Sequence, residues 1–289
     1  MPPPLRALGL PLLLPVLLWQ PPRPAPGSFE LTAVDVGQGA AVLVRTATHA
    51  LLYDTGPRYS RDSDAGHRVL VPLLQSMGER LDTVVVSHRD EDHAGGAAAV
   101  LAQQPAAALL AAIEPGHPLW ALRPGTRCEA GQRWEWDGVQ FAVLRPEAGN
   151  YDRPRLPSNA MSCVLRITAG GTSALLTGDI PAAQEAAPVA GGAALAADWL
   201  LVPHHGSRHS SSEPFLRAVA PRWAVVQAGY RSRFGHPAPD VVERLRVAGA
   251  AVVASPSCGA ANWSSASPGT LRCERDVASR YWQHAAAPS

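Results

Sequence analysis

The chain contains no lysine. All 25 basic side chains among its 289 residues are arginine, and against 24 acidic groups they leave a formal net charge of +1. That balance excludes the broad basic field by which a protein grips nucleic acid through charge alone, and it leaves phosphate contacts to individual arginine forks. Only four cysteines are present, Cys128, Cys163, Cys258 and Cys273, with no CxxC pair, so zinc-ribbon chemistry is excluded. No apolar run reaches membrane-spanning length. The longest, "LRALGLPLLLPVLLW" from Leu5 to Trp19, carries Arg6, is broken by Pro11 and Pro15, and falls short of the roughly 20 residues a span needs. Two prolines also fit a buried core helix badly. With the Pro-rich exit "QPPRPAPGS", the segment fits either a signal peptide with a poor cleavage sequence or the tail of a membrane helix from a longer protein. Both place the remainder of the chain outside the cytoplasm or at a membrane face. No low-complexity linker interrupts the chain beyond Phe29. Residues 1–28 therefore read as an apolar segment with its linker, and residues 29–289 as one domain. With 46% apolar residues, that length supports a large core and excludes wholesale disorder.

What is present is an alternation of strands and helices. "FELTAVDV", "AAVLVRT" and "ALLYDTG" predict three successive strands joined by tight turns. "RVLVPLLQSMG" has helical spacing and stops at Gly78. "LDTVVVS" predicts an apolar strand and "GGAAAVLAQQ" a helix. A second round comes after it: "WEWDGVQFAVL" as a hairpin turning at Asp-Gly, then "SCVLRITAGGTSALLTGD", "DWLLVPHHGS", "RWAVVQAGY" and "VVERLRVAGAAVVAS". Two β-rich halves with helices outside predict a four-layer α/β/β/α sandwich.

The chemistry is concentrated in "SHRDEDHAGG", Ser87 to Gly96. His88, Asp90, Asp92 and His93 leave one strand end together, where open α/β folds place ligand sites, so their heads can converge on a volume the size of a metal pair. A solvated charged loop needs neither histidines nor the glycines behind them. Gly95 and Gly96 allow close backbone approach and open a helix whose N-terminus favours anions. "SALLTGDI" delivers Asp179 after another strand, and "WLLVPHHGS" delivers His204 and His205 after a third. Each is weak alone; in this order they are specific.

The set resembles the metallo-β-lactamase fold, whose HxHxDH loop is followed by a bridging Asp and a terminal His. "LLYDTG" matches that family's early strand-end Asp, here Asp54, a support for the ligands. More narrowly, "VDVGQGAAVLV", "SHRDEDHAGG", "SNAMSCVL", "LLTGDI", "LVPHHGSRHSSS" and "FGHP" resemble the C-terminal domain of ComEC-type DNA-uptake channels, over nearly all of Phe29 to His284. The resemblance implies a dinuclear metal-dependent phosphodiesterase, a nuclease acting on DNA during uptake. It implies two divalent ions, manganese or zinc, and no nucleotide cofactor. Two alternatives stand beside it: hydrolysis of another phosphodiester, a lactone or a lactam, and a metal-stabilised DNA-guiding module of the channel without turnover. The implied partners are DNA, single-stranded, and the family's membrane channel portion. The implied location is membrane-associated, with the domain on the periplasmic or extracellular side.

On this resemblance one metal is assigned to His88, Asp90 and Asp179. The second takes Asp92, His93, Asp179 and one of His204 and His205. Asp92, Asp179, His205 and His236 carry the catalytic roles, with His205 and His236 donating to a phosphate oxygen or the leaving group. Asp35, Gln38, Asp54, Asn159, Ser162, Ser207, Arg208 and Arg233 support the ligands or meet substrate, and Arg58, Arg61 and Arg231 are further loop arginines able to ring the site. Three departures from the family stand out. Ala40 replaces the Asp that usually comes after "DVGQG", Asp90 replaces the superfamily's second His, and no third His precedes Asp179, where "LPSNAMS" offers Asn159 and Ser162. His117, in the surface turn "EPGHPLW", is not recruited. "PSCGAANWSSASPGTLRCE" reads as a hairpin bringing Cys258 opposite Cys273, and Cys128 and Cys163 can meet on neighbouring strands; free buried thiols are the alternative for each pair.

Overall fold

Apolar residues at every second position turn two sheets against each other. In the computed structural model, which describes residues 11–12, 14, 21–153, 156–190 and 194–278, fifteen of the seventeen strands form these two sheets. The first runs in the order β17 (Leu271–Cys273), β16 (Ala261–Ser264), β1 (Glu30–Ala33), β2 (Val42–Arg45), β3 (Ala50–Tyr53), β6 (Thr83–Val86), β7 (Ala108–Ala111) and β8 (Gly125–Arg127). The second runs β15 (Ala251–Ala254), β14 (Trp223–Val226), β13 (Trp199–Leu201), β12 (Thr172–Leu176), β11 (Val164–Ala169), β10 (Val139–Arg145) and β9 (Arg133–Trp136). β4 (Arg58–Ser60) and β5 (Ser63–Asp64) make a small ribbon of their own.

Period-two burial places Leu31, Val42, Val44, Leu51, Tyr53 and Val85 of the first sheet against Phe141, Leu165, Ile167, Leu176, Trp199 and Val225 of the second. The alternate residues face outward. Leu43, Leu52, Val84 and Val86 pack under helices formed by residues 66–76 and 97–103. Leu175, Leu200, Ala224 and Val226 pack under Glu213–Val219 and Pro239–Val247. Three apolar layers thus separate helix, sheet, sheet and helix, the four-layer sandwich read from the sequence. The parallel strands β6, β13 and β14 are covered on both faces, which is why "TVVV", "WLL" and "WAVV" are unbroken apolar runs.

The first three predicted strands form an antiparallel meander, and the Asp137–Gly138 turn joins β9 to β10 with both residues at positive φ, 52° and 81°. β7 has no counterpart in the sequence reading. Its alanine-rich stretch lacks any period and becomes a strand by parallel pairing with β6, where Val84 faces Leu109. Both cysteine pairs are disulfides. Cys128–Cys163 joins the two sheets with 5.9 Å between Cα atoms, and Cys258–Cys273 closes the β16–β17 hairpin at 4.6 Å. Of the apolar segment Leu5–Trp19, only Pro11, Leu12 and Leu14 lie among the described residues, and the end of the predicted domain, 279–289, lies outside them. No helix among the described residues is long and apolar enough to cross a membrane.

Candidate metal centre

Five strands from both sheets stop at one edge and hand over to polar residues. β3 runs into Asp54, β6 into Ser87 and His88, β12 through Gly178 into Asp179, β13 into His204 and His205, and β14 into Gln227. The short helix Glu91–Ala94 then turns Asp92 and His93 back over the same edge. A Cβ on Gly95 would run into the backbone nitrogen of Arg58, and one on Gly96 into the carbonyl of Thr55, so only glycine lets this turn lie so close to its neighbours.

Asp92, His93, Asp179 and His205 each bring one donor atom within 4.8 Å of the others. His93 Nε2 lies 3.1 Å from Asp179 Oδ1 and 3.2 Å from His205 Nε2. His205 Nε2 is 3.3 Å from Asp92 Oδ2 and 3.5 Å from Asp179 Oδ2. His88 and Asp90 form an adjoining pair, 3.5 Å apart, and the His88 ring centroid lies 4.2 Å from that of His93. His88 is wholly buried, yet its Nε2 has no hydrogen-bond partner.

The outward nitrogens of these rings are all held. His205 Nδ1 donates to the Gln227 carbonyl at 2.7 Å, and His93 Nδ1 donates to Asp54 Oδ2 at 2.7 Å. His88 Nδ1 donates to Ser87 Oγ at 3.0 Å, and that hydroxyl donates in turn to Asp54 Oδ2 at 2.8 Å. With each Nδ1 carrying the proton, each Nε2 presents a lone pair inward. Fixing the tautomer of a ligating histidine in this way is the usual task of a metal site's outer partners. Two facing lone pairs, two carboxylates and one orphaned imidazole nitrogen fit a divalent cation of the oxygen- and nitrogen-binding kind.

Charge compensation is mutual. Burial alone would raise Asp179, but His205 and His93 outweigh it and hold its pKa well below the ordinary carboxylate value. Burial would lower His93 and His205; for His93 the carboxylates of Asp179 and Asp54, and for His205 those of Asp179 and Asp92, reverse the sign and raise both. Asp92, although burial opposes it, is drawn down to about 2 by its hydrogen bond with His205. A cation entering the cluster takes over the protons' task, so binding it should release them.

Backbone strain marks the same residues. Asp54, His204 and His205 have φ of 60°, 53° and 53°, a left-handed conformation costing a non-glycine residue on the order of 1 kcal/mol or more. The double left-handed step at "HH" sends His205 into the cluster and leaves His204 half-buried at its rim. There His204 Nε2 is 3.8 Å from Asp179 Oδ2 and accepts from Asn159 Nδ2 at 3.2 Å. Burial lowers the His204 pKa, and it lowers that of His236 as well, helped by His205 and His204. The His236 ring lies 5.8 Å from His204 and 6.1 Å from His205.

The remaining candidates fall into separate tasks. Ser162 Oγ accepts from the Asp179 amide at 3.0 Å and lies 3.5 Å from His88 Nδ1. Asp35 pairs with Arg275 at 3.0 Å. Gln38 Oε1 accepts from Ser232 Oγ at 2.8 Å and the Gly229 amide at 3.2 Å, so it anchors a loop. Ser207 is buried and its Oγ accepts from the His209 amide at 3.4 Å, while Arg208 is exposed. Arg233 is exposed, its guanidinium 4.7 Å from the Phe234 centroid. Arg58 sits on a strand, β4, rather than a loop, and pairs with Glu91 at 3.7 Å. Two residues missed in the sequence complete the support: Ser87, described above, and Gln227. The Gln227 side chain bridges Val34 and Ala41 at 2.7 to 3.1 Å while its carbonyl holds His205. The only signal for Gln227 was a polar residue ending an apolar strand.

Two sheets between helices, with a candidate metal cluster at the strand ends, make up the metallo-hydrolase fold. The chain belongs to the metallo-beta-lactamase superfamily, whose family model matches residues 34–229. Within that superfamily its curated relatives include competence proteins of the ComEC family. Competence protein ComA of Neisseria gonorrhoeae is 37% identical over 285 residues, 96% of this chain and 38% of that protein. Recombination protein 2 of Haemophilus influenzae is 35% identical over 218 residues, 75% of this chain and 26% of that protein. The chain thus spans between a quarter and two fifths of the length of these relatives. Among solved structures, Igni18, a metallo hydrolase from Ignicoccus hospitalis, shares the fold at a TM-score of 0.52 and 16% identity, covering 81% of this chain and 98% of that one.

Proposed function

We propose that this chain is a metal-dependent phosphodiesterase that holds two divalent cations and cleaves DNA during uptake. The observation that carries the reading is the buried donor set of Asp92, His93, Asp179 and His205, with His88 Nε2 orphaned beside it. Asp92, His93, Asp179 and His205 would hold one cation, and His88, Asp90 and Asp179 the other, so Asp179 bridges. Such a pair would activate water near neutral pH and neutralise charge on an in-line displacement.

The protein's own residues do the rest. Asp54 and Gln227 keep the protons of His93 and His205 on Nδ1. His204 and His236, lowered by burial, are neutral near pH 7, and His236 would offer an N–H to a phosphate oxygen rather than a full proton to the leaving group. Arg208, Arg231 and Arg233, all exposed, would meet backbone phosphates.

Residues 29–289 would be the hydrolase part of a longer, membrane-associated protein with this part on the periplasmic or extracellular side. Two disulfides support an oxidising compartment, and the competence names of the relatives support DNA as substrate. The test is cleavage of labelled single- and double-stranded DNA by the purified chain, with and without manganese or zinc. Cleavage abolished by chelator is the expected result. DNA and metal binding without cleavage would favour a guiding module instead.

With Asp90 in place of a superfamily nitrogen and no third histidine, manganese should support more hydrolysis than zinc even where zinc binds more tightly. Asp90→His should move the preference toward zinc. Equal zinc activity in the wild type, unmoved by that substitution, would refute the assignment of Asp90.

A further inference from the structure

Four carboxylate side chains are buried among the described residues: Asp54, Glu79, Asp179 and Glu185. Asp54 and Asp179 belong to the metal centre, and Glu79 is neutralised by Arg23 at 2.7 Å and Arg45 at 3.2 Å. Glu185, wholly buried on the helix Ala182–Ala190, is used differently. Its two oxygens accept from two consecutive backbone amides, those of Ser211 at 2.5 Å and Ser212 at 2.8 Å. Burial raises its pKa, and the hydrogen bonds from Ser212 and Ser211 and the charge of Arg244 oppose the rise only in part. A carboxylate taken out of water is costly, and that cost is offset by what the carboxylate holds in place.

What it holds is the far end of the loop that carries His204 and His205. Ser211 is left-handed, with φ of 57°, and its own Oγ is buried without a partner, so its conformation is restrained through its amide. One residue back, Ser210 Oγ donates to the carbonyls of Pro203 at 2.8 Å and Ser207 at 2.9 Å. The Ser207 amide donates to the His204 carbonyl at 2.8 Å, and the Ser210 amide to the Ser207 carbonyl at 3.0 Å. Two further bonds pin the loop from outside: the Ala182 amide to the His209 carbonyl at 2.9 Å, and Arg244 Nη2 to the Ser210 carbonyl at 3.1 Å. The segment from Pro203 to Ser212 is thus closed on itself and fastened to the helix at Glu185. Within it stand the two consecutive left-handed residues that send His205 into the cluster. Strain of that kind persists only where the surroundings over-determine it, and β13 fixes only the loop's entrance.

We propose that Glu185 is a positioning residue: by fixing Ser211 and Ser212 it maintains the left-handed step at His204–His205 and so aims His205 Nε2 at the metal centre. Its consequence for metal affinity rests on the reading that His205 is a ligand; the aim of the ring does not.

The test reads the ring directly, in the metal-free full chain with histidine labelled on its ring nitrogens. His205 Nδ1 donates to the Gln227 carbonyl and His93 Nδ1 to Asp54, both at 2.7 Å, so each should give a low-field imidazole proton in the magnetic resonance spectrum. The two signals are assigned by their disappearance in His205→Asn and His93→Asn. Glu185→Gln has the same shape but turns an NH2 group against one of the two amides. It should abolish the His205 signal, leave the His93 signal and the circular dichroism unchanged, and weaken metal binding roughly tenfold in chelator competition, the low end for losing an outer partner. Adding Ser211→Gly, which adopts the left-handed conformation without strain, should restore the signal. Should Glu185→Gln not fold, Glu185→Asp, one methylene shorter, carries the same comparison. An unchanged His205 signal in a folded Glu185 variant, equal loss of the His93 and His205 signals, or no restoration by Ser211→Gly would overturn the proposal. A wild type that shows this pattern of signals yet binds neither manganese nor zinc would remove the metal reading and leave the positioning role intact.

Discussion

Replacing Asp54 by asparagine tests the orientation of the metal ligands without touching a ligand. Asp54 is wholly buried and accepts three hydrogen bonds: from the Ser87 amide at 2.7 Å, from Ser87 Oγ at 2.8 Å and from His93 Nδ1 at 2.7 Å. In Asp54→Asn the remaining oxygen still serves the Ser87 amide. The new amide group, however, confronts two donors on the Oδ2 side. The cheapest relief moves the His93 proton to Nε2, the atom that lies 3.1 Å from Asp179 and 3.2 Å from His205. A protonated Nε2 is no longer a ligand. Loss of an outer partner of this kind costs about 10- to 100-fold in metal affinity, which is about 1.4–2.8 kcal/mol at 1.4 kcal/mol per decade. The measurement is competition with a chromogenic chelator, alongside circular dichroism to confirm the fold. A folded Asp54→Asn protein whose metal affinity lies within twofold of wild type would refute the orienting role.

Asp179→Ala should leave the fold intact but release at least one cation and lower hydrolysis by more than the roughly 100-fold upper cost of losing an outer partner; two cations still present by elemental analysis, with near wild-type turnover, would refute the bridging assignment. At Asp137, burial would raise the carboxyl, but hydrogen bonds from Thr46 and Thr48 pull its pKa well below the ordinary value near 4. A depressed folded pKa stabilises above the unfolded value and loses that contribution as pH falls through the folded one. The stability gap between wild type and Asp137→Asn, which keeps the left-handed turn, should therefore shrink from pH 6 to pH 3 in urea titrations, and a constant gap would exclude the charge as its cause. Paired Cys→Ser replacement should cost about 3 kcal/mol at Cys258–Cys273, which closes a 15-residue separation, and about 4 kcal/mol at Cys128–Cys163, which closes 35. Losses under 1 kcal/mol by urea denaturation would show that neither loop restrains the unfolded chain.

The layers were legible because burial on one face or both writes a period into the strands: "FELTAVDV" alternates where β1 is half-covered, and "TVVV" does not where β6 is covered twice. The residues that cluster were legible because metal-ligand types fall directly after such strands. The choice between His204 and His205 was not, since it depends on two consecutive left-handed residues that no local pattern announces. Gln227 was hidden for another reason. Its partners Val34 and Ala41 are 193 and 186 residues away, and only the packing of the second sheet on the first brings them together. β7 escaped because alanine favours no period, and its strand state comes from the neighbour it pairs with.

The two sheets are fastened at their shared edge by two unlike rivets. One is covalent: Cys128 leaves β8 of the first sheet and Cys163 enters β11 of the second, with Tyr53 OH donating to the Cys163 carbonyl at 2.6 Å beside it. The other is ionic, since His93 follows β6 of the first sheet while Asp179 and His205 follow β12 and β13 of the second, and a cation shared by these three would pin them. Removing the ion therefore leaves the edge shut by sulfur, and reducing the sulfur leaves it shut by the ion. Such a sandwich would exchange its cation without springing open.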